Sequence, residues 1–179
     1  MNIDVVIVTF NRLDKLKNTL SNYDRQSVGF RNLIVVNNNS SDGTREYLEE
    51  WVKARDSNYD KYVVTLPENV GGAGGFHAGQ EYALELKPDW IFVSDDDAYP
   101  DKDLMKNFIL FMEDYDSKEI AAVCGAVYNV DGTIDISHRE RFVRKYGIRD
   151  IGLIPLEEYK RKSFEAEIYS YVGTFLNAE

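Results

Sequence analysis

The sequence predicts an α/β fold, a doubly wound and mostly parallel sheet flanked by helices. Three observations carry that expectation. Short β-branched runs alternate with longer amphipathic stretches, the β-α-β rhythm of such sheets. The first run, Ile3-Asp4-Val5-Val6-Ile7-Val8-Thr9-Phe10, is apolar at nearly every position, as a parallel strand covered on both faces must be. Finally, the segments that follow the apolar runs are polar or glycine-rich, and ligands of open parallel sheets bind beyond the carboxyl ends of the strands.

Each element then follows in order. After the first strand, Asn11 is placed to cap a helix whose apolar face is Leu13, Leu16, Leu20 and Tyr23. Leu33-Ile34-Val35-Val36 is the second strand. Ser41-Asp42-Gly43-Thr44 precedes a helix with Tyr47, Leu48, Trp51 and Val52 on one side. Tyr62 to Leu66 is the third strand, closed by Pro67. Beyond a glycine-rich turn, a helix runs to about Leu86 and stops at Lys87-Pro88. Trp90 to Ser94 is the fourth strand, and Leu104, Met105, Phe108, Phe111 and Met112 mark the next helix. Ile120 to Tyr128 reads as a fifth strand and Asp131-Gly132 as a hairpin turn. From there the periodicity weakens. Arg139 to Arg149 is basic and loop-like, and Ile151 to Ile154 and Ile168 to Val172 read as strands. Tyr169 and Tyr171 alternate as residues of a packed strand do.

Composition narrows the function. The chain has 179 residues, 44% of them hydrophobic and 29% charged, which excludes wholesale disorder. Its 31 acidic and 21 basic side chains give a net charge of −10, which argues against nucleic acid, where binding rests on neutralising phosphates. One cysteine, Cys124, forms no disulfide framework or thiolate zinc site. No apolar run is long enough for a membrane span, so a cytoplasmic protein is expected.

The chemistry is expected where the strand ends converge. Thr9-Phe10-Asn11-Arg12 ends the first strand, Asn37-Asn38-Asn39-Ser40-Ser41-Asp42-Gly43 the second, and Asn69-Val70-Gly71-Gly72-Ala73-Gly74-Gly75 follows the third. Asp95-Asp96-Asp97 follows the fourth. Unit charges about 4 Å apart repel by roughly 1 kcal/mol in water and roughly 4 kcal/mol at an effective dielectric of 20. Three adjacent carboxylates therefore call for a cation or open solvent, and hard oxygens suit Mg²⁺ or Mn²⁺. In an extended chain Asp95 and Asp97 point to one side and Asp96 to the other. The competing structural reading is a solvated turn that helps cap the next helix. The glycines allow close backbone approach to a ligand, or equally a tight crossover with Gly79 giving helix–sheet room. The stretch is neither a dinucleotide fingerprint nor a P-loop. His77 is read as a helix-start residue, with no second histidine at ligand spacing. Side-chain amides between Asn37 and Asp42 suit a nucleobase edge, while Ser41 or Asp42 serves as a helix cap. Arg139, Arg141, Arg144, Lys145 and Arg149 read as solvated surface.

Taken together, these four strand-end elements resemble the family 2 glycosyltransferases of the GT-A fold, over roughly the first 130 residues. Asn69 to Phe76, followed by three aspartates, looks most like the galactofuranosyl- and rhamnosyltransferase-type members. The resemblance implies a nucleotide-sugar donor, UDP- or dTDP-linked, and a glycan or lipid-linked acceptor. Lipid-linked acceptors would bring the protein to the inner membrane surface. By motif position Thr9 and Arg12 would lie at the nucleoside, Asn11 on the donor side with them, and Asn37 would face the base where the family often has Asp. Asn39, Asn69, Gly74 and Gly75 complete the donor side. Asp95 faces ribose or sugar, with Asp96 beside it, and Asp97, with Asp95, binds Mn²⁺ or Mg²⁺. The reaction implied is inverting transfer, in which a carboxylate deprotonates the acceptor hydroxyl. Residues 1–130 would form the donor half and 131–179 the start of an incomplete acceptor half, within one structural domain. Neither Asp135 nor Glu179 matches the base motif, so the base is expected beyond Glu179 and the fragment is expected to bind donor but transfer poorly. A sugar-nucleotidyltransferase would need a basic glycine-rich loop after the first strand, and Thr9-Phe10-Asn11-Arg12 lacks one. A receiver domain carries its acidic pair after the first strand rather than the fourth. A non-catalytic nucleotide- or sugar-binding module is the remaining alternative.

Overall fold

The computed structural model describes residues 1–135, 141–143, 151–153, 157–161 and 173–178. Strands and helices alternate through β1 (Ile3–Thr9), α1 (Leu13–Tyr23), β2 (Asn32–Asn37), α2 (Thr44–Trp51), β3 (Asp60–Thr65), α3 (Gly71–Glu85), β4 (Trp90–Asp95) and α4 (Leu104–Met112). Four short strands follow: β5 (Ala122–Cys124), β6 (Arg141–Val143), β7 (Ile151–Leu153) and β8 (Thr174–Asn177). The main sheet is ordered β3-β2-β1-β4-β8-β5. β1, β2, β3 and β4 are parallel. β8 runs against β5, since Asn177 N–H reaches Ala121 while Gly125 N–H reaches Gly173. The sheet is therefore mixed.

The chain forms two compact units, Met1–Val123 with Phe175–Glu179, and Cys124–Thr174. The last residues of the chain return to the first unit. In the second unit, β6 and β7 pair antiparallel, and Gly132 (φ +82°) allows the turn that bridges Tyr128 to Ile134. The long fifth strand predicted from Ile120 to Tyr128 is limited to β5. The basic stretch at 139–149 is described only at 141–143, where it is strand; its other residues, the predicted strand at 168–172 and Glu179 lie outside the described residues.

Every residue of β1 and β2 is buried, because helices cover both faces. Alternate side chains feed two cores. Ile3, Val5, Ile7, Leu33, Val35 and Phe92 pack with α1, α2 and α4 through Leu16, Leu20, Leu48, Trp51, Met105 and Phe108. Val6, Val8, Ile34, Val36, Ile91 and Val93 pack with α3 through Ala83. Phe175 stacks on Phe108 with ring centroids 3.8 Å apart and lies 4.4 Å from Phe92. Its burial, worth about 2–3 kcal/mol, fixes β8 beside β4 despite the long excursion before it.

The glycine-rich stretch departs from expectation. It is the opening of α3 rather than a turn before it, so His77 lies inside the helix, with Nδ1 3.3 Å from Glu81. Glycines four apart face the sheet there. A Cβ on Gly75 would lie 2.6 Å from Val8 Cγ1, and one on Gly79 2.5 Å from Val6 Cγ1 and 2.8 Å from Val36 Cγ2. Missing side chains let the helix settle directly onto β1 and β2.

At the opposite end of the sheet, the fully buried Asp4 carboxylate accepts from Arg31 Nε and Nη2 at 2.9 and 2.7 Å and from Asn32 Nδ2 at 2.9 Å. Arg31 Nη2 also donates to the Leu86 carbonyl at 2.9 Å, satisfying an orphan acceptor at the α3 C-terminus. This pair pins the amino ends of β1 and β2, away from the carboxyl ends.

Candidate functional site

Register sets the site. Thr9 pairs with Asn37 on one side of β1, and Val8 with Asp95 on the other, so three strand ends stand abreast. β1 and β4 part there, with connections leaving in opposite directions, which is the switch point where such sheets bind ligands. A cleft of about 260 Å³ opens between them, lined by Val8, Thr9, Phe10, Arg12, Asn38, Asn69, Gly71, Gly72, Asp95 and Asp96.

Asp96 is the fixed member of the acidic triplet. Its Oδ2 accepts the Thr9 hydroxyl at 2.6 Å, its Oδ1 lies 3.3 Å from Arg12 Nη1, and its carbonyl accepts the Thr19 hydroxyl at 2.6 Å. β4 ends at Asp95, and Asp96 and Asp97 lie in a turn. The strand alternation predicted for the triplet therefore lapses after Asp95, and Arg12 Nη1 reaches both Asp96 and Asp97, the latter at 2.9 Å. Lys15 Nζ also reaches Asp97 Oδ2, at 2.7 Å. Burial pushes the Asp96 carboxyl above the ordinary aspartate range, against the pull of Thr9 and Arg12. Burial acts the same way on Asp97, but the Lys15 hydrogen bond and the charges of Arg12 and Lys15 outweigh it, holding that carboxyl low. One turn thus carries a carboxyl that resists ionisation beside one that favours it.

The asparagines divide between scaffold and cleft. Asn37 is buried, with Oδ1 accepting from Ser40 N–H at 2.9 Å and Nδ2 without a protein partner. Asn38 clamps the start of α3, taking Val70 N–H and giving Nδ2 to the Gly71 carbonyl, both at 3.0 Å. Asn69 Oδ1 accepts from Gly71 N–H at 2.9 Å and so shapes the cleft rim. Asn11 and Asn39 both adopt left-handed backbone (φ 53° and 60°), a conformation asparagine tolerates better than most residues. Asn11 does not cap α1. Its Oδ1 accepts from Ser41 N–H at 2.7 Å, and α1 takes its cap from Asp42, whose Oδ2 accepts from Leu13 N–H at 2.9 Å. The other Asp42 oxygen accepts from Thr44 at the start of α2, so one carboxylate serves two helix N-termini.

Of the predicted residues, Thr9, Arg12, Asn69, Asp95 and Asp96 line the cleft; Asp97 is joined to them through Arg12. Asn37 sits behind it and Asn39 is exposed outside the lining. Gly74 and Gly75 do not line it. Gly75 packs on Val8, and a Cβ on Gly74 would meet Val70 at 2.6 Å, so Gly71 and Gly72 take their place. Phe10 and Asn38 belong to the strand-end motifs without a role of their own there, and Lys15 and Thr19 belong to no motif. The spacing Arg12-Lys15-Thr19, one face of α1, was a signal available for the last two.

A family model described as "Glycosyl transferase family 2" matches residues 4–175. The chain belongs to this family. Among its curated relatives, the galactofuranosyltransferase GlfT1 of Mycolicibacterium smegmatis is 36% identical over 95 residues, 53% of this chain and 30% of that protein. GlfT1 of Mycobacterium tuberculosis is 31% identical over 127 residues, 70% of this chain and 40% of that protein. The chain thus spans well under half the length of these relatives. Among solved structures, residues 1–349 of S. aureus TarS, in complex with UDP, match 99% of this chain and 47% of that one with a TM-score of 0.64 at 16% identity. A mannosyltransferase from Pyrobaculum calidifontis, in complex with GDP-Man and Mn²⁺, matches 72% of this chain and 36% of that one with a TM-score of 0.58 at 22% identity. These likenesses establish the GT-A-type fold.

Whether a cation of the kind found in that neighbour suits this site depends on its donor set. Among the described residues, no cluster of three or more His, Cys, Asp and Glu side chains is arranged to hold a metal ion. Asp96 is bonded into the wall by Thr9, Asp95 lines the cleft, and Asp97, 33% exposed, lies beside it. Mg²⁺ and Mn²⁺ are commonly held by one or two carboxylates, with phosphate oxygens and water completing the octahedron. The residues present therefore fit a divalent cation in company with a phosphate-bearing ligand, and not a cation alone. Among the described residues, no helix is long and apolar enough to cross a membrane.

Proposed function

We propose that this chain forms the donor-binding side of a glycosyltransferase that moves a sugar from a nucleoside diphosphate to an acceptor hydroxyl, with inversion and with Mn²⁺ or Mg²⁺. The observation that carries this reading is the switch-point cleft, where an acidic turn at β4 meets basic residues of α1 and the amides of the Asn69-to-Gly72 rim. Asp95 and Asp97 would hold the cation, which supplies charge stabilisation as the nucleoside diphosphate departs. Asp96, bonded by Thr9, Thr19 and Arg12, keeps the turn in one conformation, with Asp95 at the cleft and Asp97 beside Arg12. Arg12 adds a fixed cation at the diphosphate end.

For the nucleoside, Asn37 Nδ2 is a buried donor awaiting a partner, and Phe10, 41% exposed at the cleft wall, offers a ring face for a base. The donor is read as UDP- or dTDP-linked. The GlfT1 relatives, named as galactofuranosyltransferases, support a galactofuranosyl group, and the acceptor is read as a glycan or a lipid-linked one. No described carboxylate is assigned as the acceptor base. Titration calorimetry with UDP and Mn²⁺ tests the proposal. Saturable heat that needs both, and disappears in Asp97→Ala, is the expected result; no heat from the unsubstituted chain would overturn it.

A further inference from the structure

Lys15 belongs to no motif, yet its contact with the acidic turn is shorter than either that Arg12 makes. Its Nζ lies 2.7 Å from Asp97 Oδ2, and Arg12 Nη1 lies 2.9 Å from the same oxygen. The two cations are not equivalent. Arg12, its side chain 50% exposed, also reaches the buried Asp96 that Thr9 holds, so the guanidinium bridges two carboxylates at the cleft wall. Lys15 stands on the first turn of α1 with its side chain 51% exposed. A lysine ammonium is a compact, well-hydrated charge on a flexible stem, and it can leave a carboxylate for water where a forked guanidinium cannot do so easily.

Resting on the donor-and-cation reading above, we propose that Lys15 is the exchangeable counter-cation of Asp97, holding that carboxylate while the cleft lacks a divalent ion and yielding it when one arrives. The charges support an exchange. The turn concentrates three carboxyls, Arg12 stays within reach of two of them, and a divalent ion would bring more positive charge to Asp97 than the Lys15 ammonium it replaces. An ammonium and a divalent ion on one carboxylate repel each other at close range, which favours departure of the Lys15 ammonium when the metal arrives. Lys15 is then a positioning residue: it keeps the turn ordered in the resting protein and sets a threshold that a lone metal ion does not pass.

The test is Mn²⁺ binding read by the electron paramagnetic resonance of the free ion, with and without saturating UDP. Lys15→Met, with Lys15→Gln as a second variant, is expected to bind Mn²⁺ without nucleotide roughly tenfold more tightly, the scale set by removing one close charge from a partly solvated site. Lys15→Arg should keep the weak affinity of the unsubstituted chain. Lys17→Met removes the same charge from the same helix, but its ammonium lies over the Tyr47 ring, and it should change nothing. If Lys15→Met matches the unsubstituted chain, or if Lys17→Met tightens binding equally, the role of Lys15 is overturned while the donor-and-cation reading stands. If no Mn²⁺ is taken up even with UDP, both fall together.

Discussion

The Thr9 hydroxyl donates to Asp96 Oδ2 at 2.6 Å, joining the carboxyl ends of β1 and β4 across 87 residues of sequence. Both side chains are buried, so this bond is the seam of the cleft. Replacing Thr9 with Val keeps the shape and removes the donor, leaving a buried carboxyl oxygen unpaired. The expected loss is about 1–3 kcal/mol in urea unfolding, with Thr9→Ser close to the unsubstituted chain. A Thr9→Val variant within roughly 0.5 kcal/mol of it would show that the bond contributes little.

Gly79 gives a second prediction, because α3 rests on the sheet at that point. A Cβ there meets Val6 Cγ1 at 2.5 Å and Val36 Cγ2 at 2.8 Å, and both valines are stiff and fully buried. Gly79→Ala should cost about 1–3 kcal/mol despite the better helix propensity of alanine. Val6→Ala in the same chain should recover part of that loss, so a double-mutant cycle by chemical denaturation should show favourable coupling. Strict additivity would place the origin of the effect elsewhere.

Asp42 predicts a pH dependence with a definite sign. Partial burial raises its carboxyl, but bonds from the Thr44 hydroxyl and the Leu13 and Thr44 amides bring it below 3.8, the ordinary value. The unfolded chain therefore binds this proton more readily, and the stabilisation is present above that value and lost as pH falls through the lower folded one. The difference in unfolding free energy between the unsubstituted chain and Asp42→Asn should stay constant from pH 7 to pH 5 and shrink below 3.8. A difference that grew on acidification would contradict the capping role. Asp42→Ala, which also removes the acceptors, should cost about 1 kcal/mol at pH 7.

Arg31 is the partner of the buried Asp4 charge, and Arg31→Met leaves that carboxylate with Asn32 alone. Breaking a buried pair from one side costs about 3–5 kcal/mol, and partial exposure of Arg31 places the expectation at the lower end. The paired change Asp4→Asn with Arg31→Met should be milder than Arg31→Met alone. Thermal unfolding of the three variants decides it; a double variant worse than either single one would argue against the charge being the cause.

Strand and helix order was legible from residues 1 to 112 because burial on both faces writes continuous apolar runs, and helices write a 3.6-residue period. The signal failed at Gly71 to Gly79. There a helix is specified by absent side chains, and glycine reads locally as a turn although its packing partners lie far away in sequence. β8 was equally hidden, for four residues carry no period and their place is fixed by Phe175 against Phe92 and Phe108.

The candidate site divides the same way. By itself the sequence determined which strand ends are polar or glycine-rich and that the acidic triplet follows β4, since residue type and order along the chain suffice for both. Only the tertiary structure decided the division of labour within that triplet. Asp96 is held in the wall by Thr9 and Thr19, while Asp97 is turned toward Arg12 and Lys15. Those partners lie more than 75 residues away, and side-chain direction past the last paired strand residue is set by whichever donors the fold brings within 3 Å.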